Sequence, residues 1–251
     1  MPPPSMIAGL RLLHGLAGMW FVVLVAGPTA AQATTDWLTV CHADTESATA
    51  RIAACSRVIE EQTDQATRAD AFLQRGVLHE LSGERDAAVK DYTDAIKIDD
   101  TNALAFFNRG NAYDQLGQVD LAIADYTRAI KLDPTDPDFY NNRGQVYDSR
   151  GEHDFAISDY TEAIRLDATN ARPFYNRGLS YANKGDFKRA IVEFDEALKL
   201  TPDDADLYVA RGAANEELGS QAAARADYRK ALEFDPDNED AQEALSRLGG
   251  R

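Results

Sequence analysis

Residues Ala103–Asp136 read ALAFFNRGNAYDQLGQVDLAIADYTRAIKLDPTD, and the chain repeats this pattern with little change. Stepping 34 residues back from Gly110, Ala122, Tyr126 and Ala129 reaches Gly76, Ala88, Tyr92 and Ala95. Equal steps forward reach Gly144, Ala156, Tyr160 and Ala163, then Gly178, Ala190, Phe194 and Ala197, then Gly212, Ala224, Tyr228 and Ala231. No residue is gained or lost between Ala69 and Asn238. A fixed period of this length marks a stacked array of supersecondary units.

Within the quoted unit, Phe106, Phe107, Gly110, Tyr113 and Leu116 recur at helical spacing. Gly117 ends that helix, because glycine takes the left-handed conformation without a Cβ clash. Asp120 is the expected cap of a second helix that carries Leu121, Ala122, Ile123, Tyr126, Ala129, Ile130 and Leu132. Asp133-Pro134 closes it, since proline lacks a donor and disfavours helix in the residue before it. Asp136 then caps the next helix, as do Asn102, Asn170, Asp204 and Asn238 in the same slot. Gly110 opposite Ala122 is expected to let the two axes approach, with Tyr126 and Ala129 turned to the next unit. One helical pair cannot bury this apolar surface alone, so each unit needs neighbours.

The pattern resembles the tetratricopeptide repeat family, in an exported bacterial form with Asn-Arg-Gly in the first helix at 108–110, 142–144 and 176–178. The resemblance implies an all-α, right-handed superhelical solenoid of antiparallel helix pairs. Five full repeats would occupy 69–102, 103–136, 137–170, 171–204 and 205–238. Pro134, Pro202 and Pro236 hold the family's proline slot, whereas Asp100 and Ala168 replace it. His79 and Asn215 stand where the other repeats have tyrosine. The seventh slot, more often leucine in the family, is Arg75, Arg109, Arg143, Arg177 and Arg211. The twenty-third is always an acid: Asp91, Asp125, Asp159, Glu193 and Asp227. Coincident pairs of this kind predict an internal ladder of ion pairs. The alternative is a set of groove arginines that bind acidic ligands.

The ends of the chain read differently. Met1–Ala33 has Arg11, an apolar run from Leu16 to Ala26, and Ala31-Gln32-Ala33, the form of a signal-peptidase site. Cleavage after Ala33 would export the protein to the periplasm or beyond and leave no membrane insertion. The alternative is an N-terminal membrane anchor. Residues 34–68 read as a capping half-repeat, with Ala50, Ile52, Ala53, Ala54, Val58 and Ile59 on one helix. Cys41 and Cys55 are the only cysteines and predict one disulfide in an exported chain. A zinc site with His42, or a redox pair, is the other reading of these two. Residues 239–251 read as a capping helix, with Ala241, Ala244, Leu245 and Leu248 on one face, followed by a tail.

The formal charge of −16 argues against nucleic acid, which needs a basic surface. Two functional readings remain for it, solubility or a basic partner. Four histidines lie far apart in the repeat order, and no phosphate-binding glycine loop stands outside the 34-residue period. No catalytic residue, metal site or cofactor is therefore assigned. The resemblance directs attention to the groove lined by first helices, at slots 2, 5, 9, 12 and 13 of each repeat. Phe107, Asn111, Asp114, Asn141, Gln145, Asp148 and Tyr175 are the expected partner-binding residues. Aromatics anchor a peptide at low entropic cost, amides bond its backbone, and the acids favour a basic one. The expected role is a non-catalytic protein-interaction scaffold. A regulatory or assembly factor of an envelope or secretion complex, and an enzyme with an unseen site, are the alternatives.

Overall fold

The computed structural model describes residues 37–249. The leader and cleavage-site reading of 1–33 lies outside the described residues. After a helical turn at 37–42 the chain runs through α1 (Ala48–Glu61), α2 (Gln65–Leu81), α3 (Arg85–Ile98), α4 (Ala103–Gln115), α5 (Val119–Leu132) and α6 (Pro137–Ser149). It continues with α7 (His153–Leu166), α8 (Ala171–Asn183), α9 (Phe187–Leu200), α10 (Ala205–Glu217), α11 (Gln221–Phe234) and α12 (Glu239–Arg247). The described residues contain no strand, and none of their helices is long and apolar enough to cross a membrane. Each helix packs on the next, so the fold is an all-α solenoid of helix pairs. Successive first helices (α2, α4, α6, α8, α10) also touch one another, while the second helices stand further apart. The array therefore curves with its first helices on the inside.

The turn inside each pair is tight. Gly117 sits at φ +70°, its N–H bonds Asp114 O at 2.8 Å, and Gln118 N–H bonds Tyr113 O at 2.8 Å. This geometry starts α5 at Val119, with Gln118 as the cap residue and no side-chain cap bond. Asp120 is thus not the cap expected from the sequence. It lies in the first turn and pairs instead with Arg150 of the next repeat. The first helices do cap as expected: Asn102, Asp136, Asn170, Asp204 and Asn238 each accept a backbone N–H.

The turn between repeats does not depend on proline. Asp99, Asp133 and Asp167 each accept both the N–H and the hydroxyl of the threonine two residues on. These Asx turns close the same corner whether the intervening residue is Asp100, Pro134 or Ala168.

The repeat glycine makes a contact other than the one expected. A Cβ on Gly110 would meet the Tyr126 ring at 2.8 Å, not Ala122. The same clash, at 2.5 to 2.8 Å, recurs for Gly76 on Tyr92, Gly144 on Tyr160, Gly178 on Phe194 and Gly212 on Tyr228. The glycine clears room for the aromatic ring sixteen residues later, and that ring is buried in every repeat. The ring also reaches the next unit: Ala122, Tyr126 and Val146 form one buried cluster.

The arginines form the predicted ladder. Arg143 Nε and Nη2 donate to the two oxygens of Asp159 at 2.8 Å each, and Arg75 and Arg109 do the same to Asp91 and Asp125. The third nitrogen reaches back to the preceding repeat. Arg109 Nη1 bonds Thr93 Oγ1 at 3.0 Å, Arg143 Nη1 bonds Thr127, Arg177 Nη1 bonds Thr161, and Arg211 Nη1 bonds Asp195. One guanidinium therefore ties three helices of two repeats. In repeat four the longer Glu193 takes only Arg177 Nη2, and Arg177 Nε is buried without a hydrogen-bond partner among the described residues.

Both ends are covered. Helix α1 replaces a preceding second helix, and its Ser56 takes the bond from Arg75 Nη1 that threonine takes elsewhere. The Cys41–Cys55 disulfide is formed and joins the 37–42 turn to α1. Trp37, Val40 and Ile52 pack around the two cysteines, Ala54 and Leu78. At the other end Ala241, Ala244 and Leu245 of α12 cover Ala224, Tyr228 and Ala231, with Leu248 packed alongside.

Candidate functional site

The inner face is built from side chains at helical spacing on α2, α4, α6, α8 and α10. Four of the seven residues singled out from the sequence keep groups that a partner could meet. Phe107 is half-buried, with its ring against Phe139 (4.7 Å) and Tyr126 (5.8 Å). Tyr175 is half-buried, 6.0 Å from Phe194, and its phenol is pushed above its ordinary pKa by desolvation and then by Asp206 and Asp204. With Arg172, Thr201, Asp204 and Leu207 it lines a cleft of about 460 Å³. Gln145 and Asp114 are exposed, and their side chains make no hydrogen bond within the described residues. Partial burial by the groove walls raises the Asp114 carboxyl above the usual range.

The other three are structural struts. Asn111 accepts the Tyr126 hydroxyl at 2.7 Å and the Asn142 amide at 2.9 Å. Asp148 accepts from Tyr160 (3.1 Å) and Ser180 (2.6 Å) and pairs with His153 (2.9 Å). Asn141, expected in the groove, is 1% exposed. Its amide oxygen accepts from Asn176 Nδ2 at 3.1 Å and its amide nitrogen donates to Asn142 Oδ1 at 3.3 Å. The correction has a plain cause. The same slot holds Leu73, Phe107, Tyr175 and Val209, so it faces the packing between repeats. A buried amide there must satisfy itself internally.

These bonds link the inner helices directly. Glu80 to Gln115, Asn111 to Asn142, Asn141 to Asn176 and Asp148 to Ser180 run from one first helix to the next. Two exposed leucines escaped the sequence reading, Leu81 at 79% and Leu104 at 52% exposure. They occupy slots 13 and 2, both groove slots, and leucine at those slots was the available signal. Among the described residues no group of three or more His, Cys, Asp or Glu side chains is placed to hold a metal ion.

Comparison with known proteins follows this geometry. By sequence, no curated protein gave a match. Among solved structures the chain is similar to a MamA protein, with 26% identity and a TM-score of 0.61 over 68% of this chain and 96% of that one. It is similar to YrrB, described as a TPR protein with an unusual peptide-binding site, with 22% identity and a TM-score of 0.65 over 77% and 98%. It is also similar to the C-terminal part of a TPR repeat-containing protein of Cytophaga hutchinsonii, with 21% identity and a TM-score of 0.69 over 86% and 84%. The TPR repeat family profile matches residues 70–117, 110–149 and 147–185, and a second tetratricopeptide repeat profile matches 175–239. Together they run unbroken over more than half of the chain, which thus belongs to the tetratricopeptide repeat family.

Proposed function

We propose that this protein is an interaction scaffold that holds a peptide or helix of a partner protein along its first-helix groove. The observation that carries this reading is the inner face itself. It presents two half-exposed rings, Phe107 and Tyr175, together with Gln145 and Asp114, whose side chains have no hydrogen-bond partner among the described residues. Rigid aromatic anchors beside free hydrogen-bonding groups suit an extended or helical peptide. YrrB, of the same fold, is described as having a peptide-binding site, which supports the reading. The acidic balance of the chain favours a basic partner, bound more weakly as salt rises. The Cys41–Cys55 disulfide and the leader reading of Met1–Ala33 support a role in an oxidising compartment, the cell envelope or outside the cell.

The test is crosslinking capture from the host's cell envelope with the full chain and with a Phe107→Ala/Tyr175→Ala variant. A partner held by the wild type and lost from the folded variant is the expected result. A partner retained equally by both removes the groove from the reading.

A further inference from the structure

Four repeats carry an acid at slot twelve on the inner face: Glu80, Asp114, Asp148 and Glu216. Three of them are satisfied in the same way. Each accepts the hydroxyl of its own repeat's tyrosine: Tyr92 to Glu80 (2.8 Å), Tyr160 to Asp148 (3.1 Å) and Tyr228 to Glu216 (3.1 Å). Each also takes a donor from the next inner helix: Gln115 to Glu80 (3.1 Å), Ser180 to Asp148 (2.6 Å) and Arg247 to Glu216 (2.5 and 3.2 Å).

Asp114 has neither. Its tyrosine, Tyr126, donates to Asn111 instead. The three positions on the next helix that serve the other acids are Gln145, Val146 and Ser149. The Val146 side chain has no donor, Ser149 turns to its own helix at Val146 O (2.8 Å), and the Gln145 side chain makes no bond within the described residues. Partial desolvation also raises the Asp114 carboxyl above its ordinary range.

The C-terminal cap shows what fits such a place. Helix α12 replaces a sixth first helix, and Arg247 stands one period after Ala213 and two after Leu179. In the register of repeat three that position is Gln145. The protein thus contains a guanidinium on a slot-twelve carboxylate, supplied from the neighbouring helix. On the preceding helix Glu80 accepts from Gln115 of α4, and Leu81, the next residue along that helix, is exposed.

We propose that Asp114 is the seat for an arginine of the bound peptide, held as Arg247 is held on Glu216. Gln145 bonds the adjacent backbone, and Leu81 receives an apolar neighbour of that arginine. The inference rests on the groove reading above and specifies its partner: a peptide with an arginine next to an aliphatic residue.

The test is selection from a random phage-displayed 12-mer library on the full chain, on Asp114→Asn and on Phe107→Ala/Tyr175→Ala. The Asp114 side chain makes no hydrogen bond or ion pair among the described residues, so Asp114→Asn should melt with the wild type. The expected result is an arginine enriched at one fixed position on wild type and lost on Asp114→Asn. The selected peptide should then bind about tenfold more weakly when that arginine is replaced by citrulline, and the two peptides should bind Asp114→Asn alike. Peptides that need Phe107 and Tyr175 but show no arginine preference, show lysine equally, or ignore Asp114→Asn overturn the seat and leave the groove standing. Failure to select any peptide overturns both.

Discussion

Replacing Arg143 with leucine should cost about 3 kcal/mol, and replacing its partner as well should recover most of it. Arg143 gives Asp159 two bonds of 2.8 Å, and the two side chains are 16% and 8% exposed. Breaking a buried pair on one side costs about 3–5 kcal/mol, because the remaining charge has no partner. There is a ceiling. Asp159 can escape by taking a proton, which from an ordinary carboxyl at pH 7 costs about 4 kcal/mol. The residual exposure lowers the figure further, to about 3 kcal/mol. Asp159→Leu strands a guanidinium that can turn to water, and should cost about 2 kcal/mol. The double variant replaces the ion pair with two apolar side chains and should lie within about 1 kcal/mol of wild type. Urea unfolding at pH 7 measures all three, with hydrogen exchange to localise the loss, since an array need not unfold in one step. Burial already holds the Asp159 carboxyl above its usual range, against the opposing pull of Arg143. A raised folded-state pKa contributes stability at low pH that is lost as pH rises. The penalty in Arg143→Leu should therefore shrink as pH falls from 7 toward 4. Strict additivity in the double variant, with no pH dependence in the single one, would mean that the arginine acts through packing and that the ladder carries no coupling.

Other parts of the repeat give further expectations. Gly144→Ala should lower the melting temperature despite its better helix propensity, because the new Cβ would stand 2.7 Å from Tyr160 Cε1. Overpacking of about 2 kcal/mol against about 1 kcal/mol of propensity leaves a net loss, and an unchanged or raised melting point contradicts the packing account. Glu193→Asp should raise stability by about 1 kcal/mol by giving Arg177 Nε the acceptor it lacks; a loss in urea unfolding refutes it. Reducing Cys41–Cys55 should remove about 3 kcal/mol or less, seen as faster amide exchange in α1 and α2, with α8 to α11 unaffected. Uniform loss along the array would count against a local cap. The threonine bonds hold the carboxyls of Asp99, Asp133 and Asp167 below the usual range. Their contribution is present above about pH 4 and lost as pH falls through the lowered folded-state values. The triple Thr101→Val/Thr135→Val/Thr169→Val variant should therefore lose less stability than wild type between pH 4 and pH 2, measured by thermal melting.

Much of this fold was legible because periodicity repeats each signal at a known offset. The arginine at slot seven and the acid at slot twenty-three recur sixteen residues apart, and the bonds are present in every repeat. The third partner was equally periodic: Thr93, Thr127 and Thr161 stand sixteen residues before an arginine. Threonine on a helix has many neutral uses, so the pattern passed without notice. The groove was harder to read. Asn141 and Asp148 have the chemistry of contacts, and Asn111 too, yet each is bonded within the protein. Residue type cannot separate a free amide from a bonded one, because that depends on what the neighbouring helix presents. At Asp120 the miss was local, since the glycine turn starts α5 two residues earlier than the hydrophobic pattern alone suggests.

The inner face answers two demands at once. Polar groups on touching first helices must be bonded to one another or left to solvent and partners. From α4 to α8 most of them are bonded across the helices, and this fixes the angle between repeats where a ligand would lie. Preorganisation of this kind lowers the entropic cost of binding. The same bonds remove those groups from recognition. Recognition then falls to positions where the network is interrupted, and the interruption at Asp114 and Gln145 lies between the two aromatic anchors in chain order. An all-apolar groove would bind with less discrimination, and a fully bonded one would bind little. On this reasoning Asn142→Ala, which deletes a strut and no contact, should weaken a groove peptide by loosening α4 against α6. The Asp114→Asn variant should instead change which peptide is preferred. If Asn142→Ala left affinity intact while exchange at α4 and α6 rose, rigidity of the inner network would have no part in binding.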